Sequence, residues 1–148
     1  MLYLIDGNNL IGQAAGPQAG PAQRRLVAEL CAFLRGRMDQ AVLVFDGADQ
    51  EGGFPPSHLR GRLRVVWSGT APADVLLRQR MARSGAPAAL TLVSEDRELI
   101  AYARARKIRR LGRAAWAELL AQEREEQRAR PGPIDVDDWL SFFDREPS

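Results

Sequence analysis

An α/β fold with a mostly parallel sheet is predicted by three observations. Short apolar runs recur along the 148 residues, helical patterns separate them, and acidic residues stand where several of the runs end. Strands alternating with helices form βαβ units, and parallel sheets built this way are covered by helices on both faces. Strands buried on both faces read as continuous apolar stretches, as the runs here do.

Taken in order, the first run is Leu2–Ile5, followed at once by Asp6, Gly7, Asn8 and Asn9. Asp6 falls at the carboxyl end of a strand, the edge where open parallel sheets bind ligands, and Gly7 permits a sharp turn. A carboxylate and two amides there make either a polar turn or a hard, oxygen-rich corner suited to a hydrated divalent cation. Leu26, Val27, Leu30, Cys31 and Leu34 then repeat at helical spacing. The second run, Ala41–Phe45, ends in Asp46-Gly47, and the third is Leu63–Trp67. Pro72 is placed to open a helix reaching Arg83, with Asp74 in its first turn. After the fourth run, Ala89–Val93, Ser94 can cap a helix that carries Leu99, Ile100 and Ala103 on one side, and Asp96 lies at its start. Lys107–Leu111 is the fifth run, and Trp116, Leu119 and Leu120 form the buried stripe of a last helix.

Two connections, Gly12–Ala22 and Gly47–Gly61, are long and rich in turn residues. Both follow strands, so both should overhang the edge that carries Asp6. The single histidine, His58, lies in the second and reads as a solvent-facing loop residue. The main domain is expected to span residues 1–122. Residues 123–148 form a charged helix end with Glu126 and Arg130 at a supporting spacing, a Pro131-Gly132-Pro133 break and a short helix. In that short helix Asp135 can cap, while Val136, Trp139, Leu140 and Phe143 share a face. It is too short to be stable alone and must dock, on its own domain or on a partner protein.

Charge is uneven although the net is only +2. Residues 1–59 carry a net of −2, residues 60–113 a net of +9 and residues 114–148 a net of −5. All the cations of the middle third except Lys107 are arginine, a side chain that binds phosphate bidentately and stacks on bases. An anionic polymer such as RNA is therefore a candidate partner, beside the plainer reading of a solvated helix face. No apolar run approaches a membrane span, and Asp6 interrupts anything resembling a signal peptide, so a cytoplasmic protein with no membrane partner is expected. A lone cysteine, Cys31, excludes an internal disulfide and a cysteine-based zinc site, and its apolar neighbours at helical spacing make it a core residue.

Asp6, Asp46, Asp74 and Asp96 all fall on one edge of such a sheet. Each has a plain role as a cap or dipole partner near a helix N-terminus. If they cluster, two carboxylates ~4 Å apart repel by about 4 kcal/mol at an effective dielectric of ~20, so they stay partly protonated or share a cation. Oxygen ligands favour Mg²⁺ or Mn²⁺ over zinc. Such an ion can orient a water, lower its pKa and support in-line displacement at a phosphodiester. Other carboxylate-rich chemistries lack their signatures. No GxxxxGK[ST] or strand-linked GxGxxG is present, and Lys107 stands at the wrong end of a strand to serve an aspartyl phosphate.

The stretches LIDGNNLIG, LVFDG, VVWSGTAPAD and LVSEDREL, in that order and followed by a basic segment, resemble the YacP-like group of NYN domains in the PIN-like nuclease superfamily. The resemblance spans residues 1 to about 120. It implies a three-layer α/β/α fold with a five-stranded, mostly parallel, Rossmann-like (PIN-like) sheet, here with a short C-terminal helical tail. It also implies metal-dependent RNA cleavage, with mRNA and the ribosome as candidate partners. Carried over motif by motif, Asp6, Asp46, Asp74 and Asp96 become metal ligands at an acidic centre. Asn9 and Ser94 position ligands or water, and Arg60, Arg62, Arg64 and Arg97 are the arginines expected to grip RNA phosphates. Two positions depart from the family's pattern. Arg78 stands where related chains often carry a carboxylate, at a spacing suited to pair with Asp74. Glu95 replaces a small polar residue, and it or Glu98 is a candidate replacement ligand. The alternatives are an RNA- or ribosome-binding module of the same fold without turnover, and an adaptor acting through Trp139, Leu140 and Phe143.

Overall fold

A computed structural model describes residues 1–12, 19–48 and 55–129. In chain order these residues form β1 (Leu2–Asp6), α1 (Gly7–Ile11), α2 (Ala19–Leu34), β2 (Gln40–Phe45), β3 (Ser57–Arg60) and β4 (Leu63–Trp67). Then follow α3 (Ala73–Arg83), β5 (Leu90–Val93), α4 (Arg97–Ala105), β6 (Arg109–Leu111) and α5 (Arg113–Ala129). The strands make one sheet in the order β3-β4-β2-β1-β5-β6. Every pairing is parallel except that of β3 with β4. The five expected strands are the five parallel ones. The sixth, β3, lies inside the stretch expected to be a loop.

Alternation along the strands divides the core in two. Tyr3, Ile5, Leu43, Phe45, Val65 and Trp67 face α2 and α5, whereas Leu4, Val42, Val44 and Leu92 face α3 and α4. This is a three-layer α/β/α arrangement. Tyr3, Phe33 and Trp116 tie β1, α2 and α5 together, with ring centroids 5.2 to 5.8 Å apart. Edge-on aromatic pairs of this kind add roughly 0.5–1.5 kcal/mol each beyond the area they bury.

Four local expectations change. Gly7 does not make a sharp turn but opens the short helix α1, and a Cβ there would lie 2.5 Å from the Phe45 ring. His58 is not a solvent-facing loop residue: it sits half-buried on β3, stacked on Trp67 at 5.7 Å. Ser94 is not the cap of α4, because Asp96 is, accepting from the backbone of Glu98 and Leu99. The charged end of α5 is not wholly solvated either. α5 continues past Gln122, and Glu123 is only 3% exposed, paired with Arg37 at 2.8 Å. Arg130 and the helix expected after Pro133, with Trp139, Leu140 and Phe143, lie outside the described residues. Among the described residues no helix is long and apolar enough to cross a membrane.

Candidate active site at the carboxyl edge of the sheet

Parallel register brings the ends of β1, β2 and β5 side by side, with Asp6 level with Val44 and Ile5 level with Val93. Asp6 is therefore flanked by the residues that follow β2 and β5, which are Asp46 and Ser94. It is the most enclosed of the four aspartates, at 8% exposure. The fully buried Ser94 hydroxyl donates to Asp6 Oδ2 at 3.1 Å and accepts from the Asp96 backbone N–H at 3.0 Å. Burial pushes the Asp6 carboxyl above its ordinary value. Hydrogen bonds from Ser94 and the Asn9 backbone oppose the rise, and the charges of Asp46 and Asp96 add to it. Asp6, Asp46 and Asp96 thus share one electrostatic neighbourhood, joined by Ser94 and Asn9.

The two asparagines lace neighbouring loops to this corner. Asn8 Oδ1 accepts from the Asp46 backbone N–H at 2.6 Å, and Asn9 Oδ1 accepts from the Glu95 backbone N–H at 2.9 Å. Asp46 in turn accepts from the Ala73 backbone N–H at 2.6 Å, capping α3 from another element. Pro72, at the N-cap position itself, provides no side-chain cap. Asp96 Oδ1 is likewise engaged by α4. Glu95, weighed above as a replacement ligand, turns away to accept from the first N–H of α5 at 2.6 Å. Arg113 donates to the Asn9 carbonyl. Asn8 and Glu95 stand out in the sequence as candidate ligands, and here each holds a neighbouring element in place. Arg113 is the site-framing residue that sequence reasoning passed over: nothing local marks it, and it meets Asn9 only through the fold.

Asp74 occupies the first turn of α3 and is held by Arg78 at 3.5 Å. Arg78 also reaches Glu98 at 2.9 Å, so its guanidinium bridges the first turns of α3 and α4. Arg97 is exposed next to Asp96 at the start of α4. Arg60, Arg62 and Arg64 are not brought to this corner. Arg60 ends β3 beside the start of β4, Arg62 precedes β4, and Arg64 is its second residue. Among the described residues no group of three or more His, Cys, Asp or Glu side chains is arranged to hold a metal ion. The corner's donors are nevertheless all oxygen, and Mg²⁺ commonly takes one or two carboxylates while keeping water and substrate phosphate as its other ligands. Asp6 with Asp46 or Asp96 fits that mode of binding.

No family model matches the sequence, and no curated protein matches it. Solved structures do. The crystal structure of Rae1 (YacP) from Bacillus subtilis matches with a TM-score of 0.70 over 95% of this chain and 85% of its own, at 15% identity. A tryptophan-to-leucine mutant of that protein matches with a TM-score of 0.68 over 84% of this chain and 77% of its own, at 14% identity. This chain has the NYN/PIN-like fold of YacP. At such identities the likeness carries the fold, and the chemistry rests on the residues at the corner. Within this YacP fold, the cluster around Asp6 stands at the edge where parallel sheets bind ligands.

Proposed function

We propose that the chain is a metal-dependent endoribonuclease that hydrolyses RNA phosphodiester bonds at the Asp6 corner. One observation carries the reading. Asp6 is buried and held by Ser94, which also accepts from the Asp96 backbone, and the Asp46 and Asp96 carboxylates are near enough to oppose its ionisation. Carboxylates so arranged favour a shared cation. Asp6, Asp46 and Asp96 would hold Mg²⁺ or Mn²⁺, which supplies an activated water and stabilises charge at the phosphodiester. Asp74 can join them only by leaving Arg78. Ser94 fixes the orientation of Asp6, and Asn8 and Asn9 hold the loops after β2 and β5 in register. Arg97, exposed at the rim, grips phosphate. Action on mRNA at the ribosome is the setting that the YacP resemblance suggests.

The experiment incubates purified protein with single-stranded and structured RNA in Mg²⁺ or Mn²⁺, beside Asp6→Asn and Asp96→Asn. Asparagine caps helices as well as aspartate does, so Asp96→Asn removes charge without unmaking α4. Cleavage by wild type and its loss in both variants is expected. Equal cleavage by the variants sinks the reading.

A second reading, an RNA-binding module without turnover, is favoured by the pairing of Arg78 with Asp74 and Glu98. RNA binding without cleavage in wild type, with cleavage appearing in Arg78→Gln, would select it.

A further inference from the structure

The Asp6 corner leaves unused a convergence of arginines on the β3–β4 hairpin. Its turn passes through Gly61 at φ +60°, a conformation glycine adopts without steric cost. On the α3 side of the hairpin a groove of about 340 Å³ is lined by Arg62, Arg64 and Arg80, over Val42 and Leu59. Arg62 donates to the Met38 carbonyl at 3.3 Å and Arg64 to the Ser57 hydroxyl at 2.9 Å. Among the described residues none of the three arginines has a carboxylate partner. Arg37, Arg78 and Arg128 all have one. Guanidinium groups converging without counter-charge are a surface prepared for an anion. Their planar donor forks match the oxygens of a phosphodiester.

We propose that this groove is a second RNA-binding surface, which holds backbone phosphates of a strand whose scissile bond lies at Asp6. It rests on the proposed function for the identity of the polyanion and for the scissile bond at Asp6. Register separates the two places. Leu63, next to Arg62, lies three residues before Val66, which is level with Val44 and so with Asp6. At ~3.3 Å per residue that is about 10 Å along the sheet, before the lateral offset across β2 is added. Arg62 and Asp6 therefore serve different phosphates of one chain, and affinity should grow with RNA length. The exposed large apolar residues described are Met1, Met38, Leu59 and Val75, and of these only Leu59 lines the groove. That is too little apolar surface for insertion into a lipid layer, and phosphate chemistry favours nucleic acid.

The test uses the full chain carrying Asp6→Asn, so that bound RNA is not consumed, with a fluorescent uridine homopolymer followed by anisotropy across a salt series. Changing Arg62, Arg64 and Arg80 together to Gln should flatten the dependence of log K on log salt by about 2, since each phosphate contact to a single strand contributes ~0.7. A control with Arg104, Arg109 and Arg110 changed to Gln should keep the parent slope. Should the first triple variant melt early, Arg80→Gln alone, on the exposed side of α3, should still lower the slope by about 0.7. An unchanged slope, or equal losses in both triple variants, overturns the second surface without touching the catalytic reading, which cleavage alone decides. Homopolymer binding through these arginines by a wild-type chain that never cleaves supports the surface and overturns the nuclease. Arginine-dependent binding to phosphatidylserine vesicles with no binding of RNA overturns the RNA assignment.

Discussion

Asp6, the centre of the proposed chemistry, also carries a local instability. Burial raises its pKa, and the charges of Asp46 and Asp96 raise it further against the hydrogen bonds from Ser94 and Asn9. A carboxyl with a raised folded pKa favours the folded state only when protonated. That contribution is complete below the ordinary value of 3.8 and is lost as pH rises through the folded value. Asp6→Asn should therefore melt at a higher temperature than wild type at neutral pH, with the difference closing in acid, while cleavage is lost. A melting temperature below wild type at neutral pH would contradict this account. Gly7 is constrained differently, by space. A Cβ there would lie 2.5 Å from the Phe45 ring and 3.0 Å from the Val44 carbonyl oxygen. Gly7→Ala should cost about 1–3 kcal/mol in urea denaturation, the usual range for overpacking. The sequence marked Gly7 as special for a turn, whereas the cause is a ring on β2 that no local pattern could reveal.

Elements are joined by caps and ion pairs that cross the sequence. Asp46 at the end of β2 caps α3, and Glu95 after β5 caps α5. Asp46→Ala should destabilise by about 1 kcal/mol, the cost of losing an N-cap, and Asp46→Asn should not. Calorimetry on both variants separates capping from charge. Arg37 joins the end of α2 to α5, donating to Asp39 at 2.7 Å and to buried Glu123 at 2.8 Å, with its guanidinium over the Phe33 ring. Arg37→Leu should cost about 3 kcal/mol, the low end for breaking a buried pair, because Arg37 itself is partly exposed. Burial alone would raise the Asp39 pKa, but hydrogen bonds and charge from Arg37 and the terminal amine hold it below the ordinary value. That part of the stability is present above the ordinary carboxylate pKa and is lost as pH falls through the lower folded one. The penalty of Arg37→Leu should accordingly shrink in acid. Helix stripes such as Leu26, Leu30 and Leu34 were legible because they report their own burial. Glu123 was not, since a carboxylate among Arg124, Glu125 and Glu126 reads as solvated until Arg37 arrives from another helix. β3 was hidden for a related reason: Ser57–Arg60 carries little apolar content, and its pairing with β4 alone makes it a strand.

Across the whole molecule, the acidic corner and the basic hairpin occupy different places on one sheet, with a bond-cutting role proposed for one and a gripping role for the other. Salt dependence of RNA binding counts the cations engaged and ignores Asp6. Wild type in EDTA and Asp6→Asn should therefore give the same slope of log K against log salt, although only wild type cleaves when Mg²⁺ or Mn²⁺ is restored. A slope that changed with Asp6 would mean that the corner itself supplies the grip.

The sequence by itself determined the α/β class, the five parallel strands and the position of Asp6, Asp46 and Asp96 at strand ends, because apolar runs and helical periods are local consequences of burial. It also marked the basic middle third. Only the tertiary structure decided which charges meet. It linked Asp6 to the Asp96 backbone through Ser94, tied Arg78 to Glu98 on another helix, turned Glu95 onto α5 and drew Arg62, Arg64 and Arg80 into one groove away from the corner. The reason is physical: burial is written into each segment's own pattern, whereas a salt bridge, a cap in trans or a cluster of like charges depends on side chains from segments that only folding brings together.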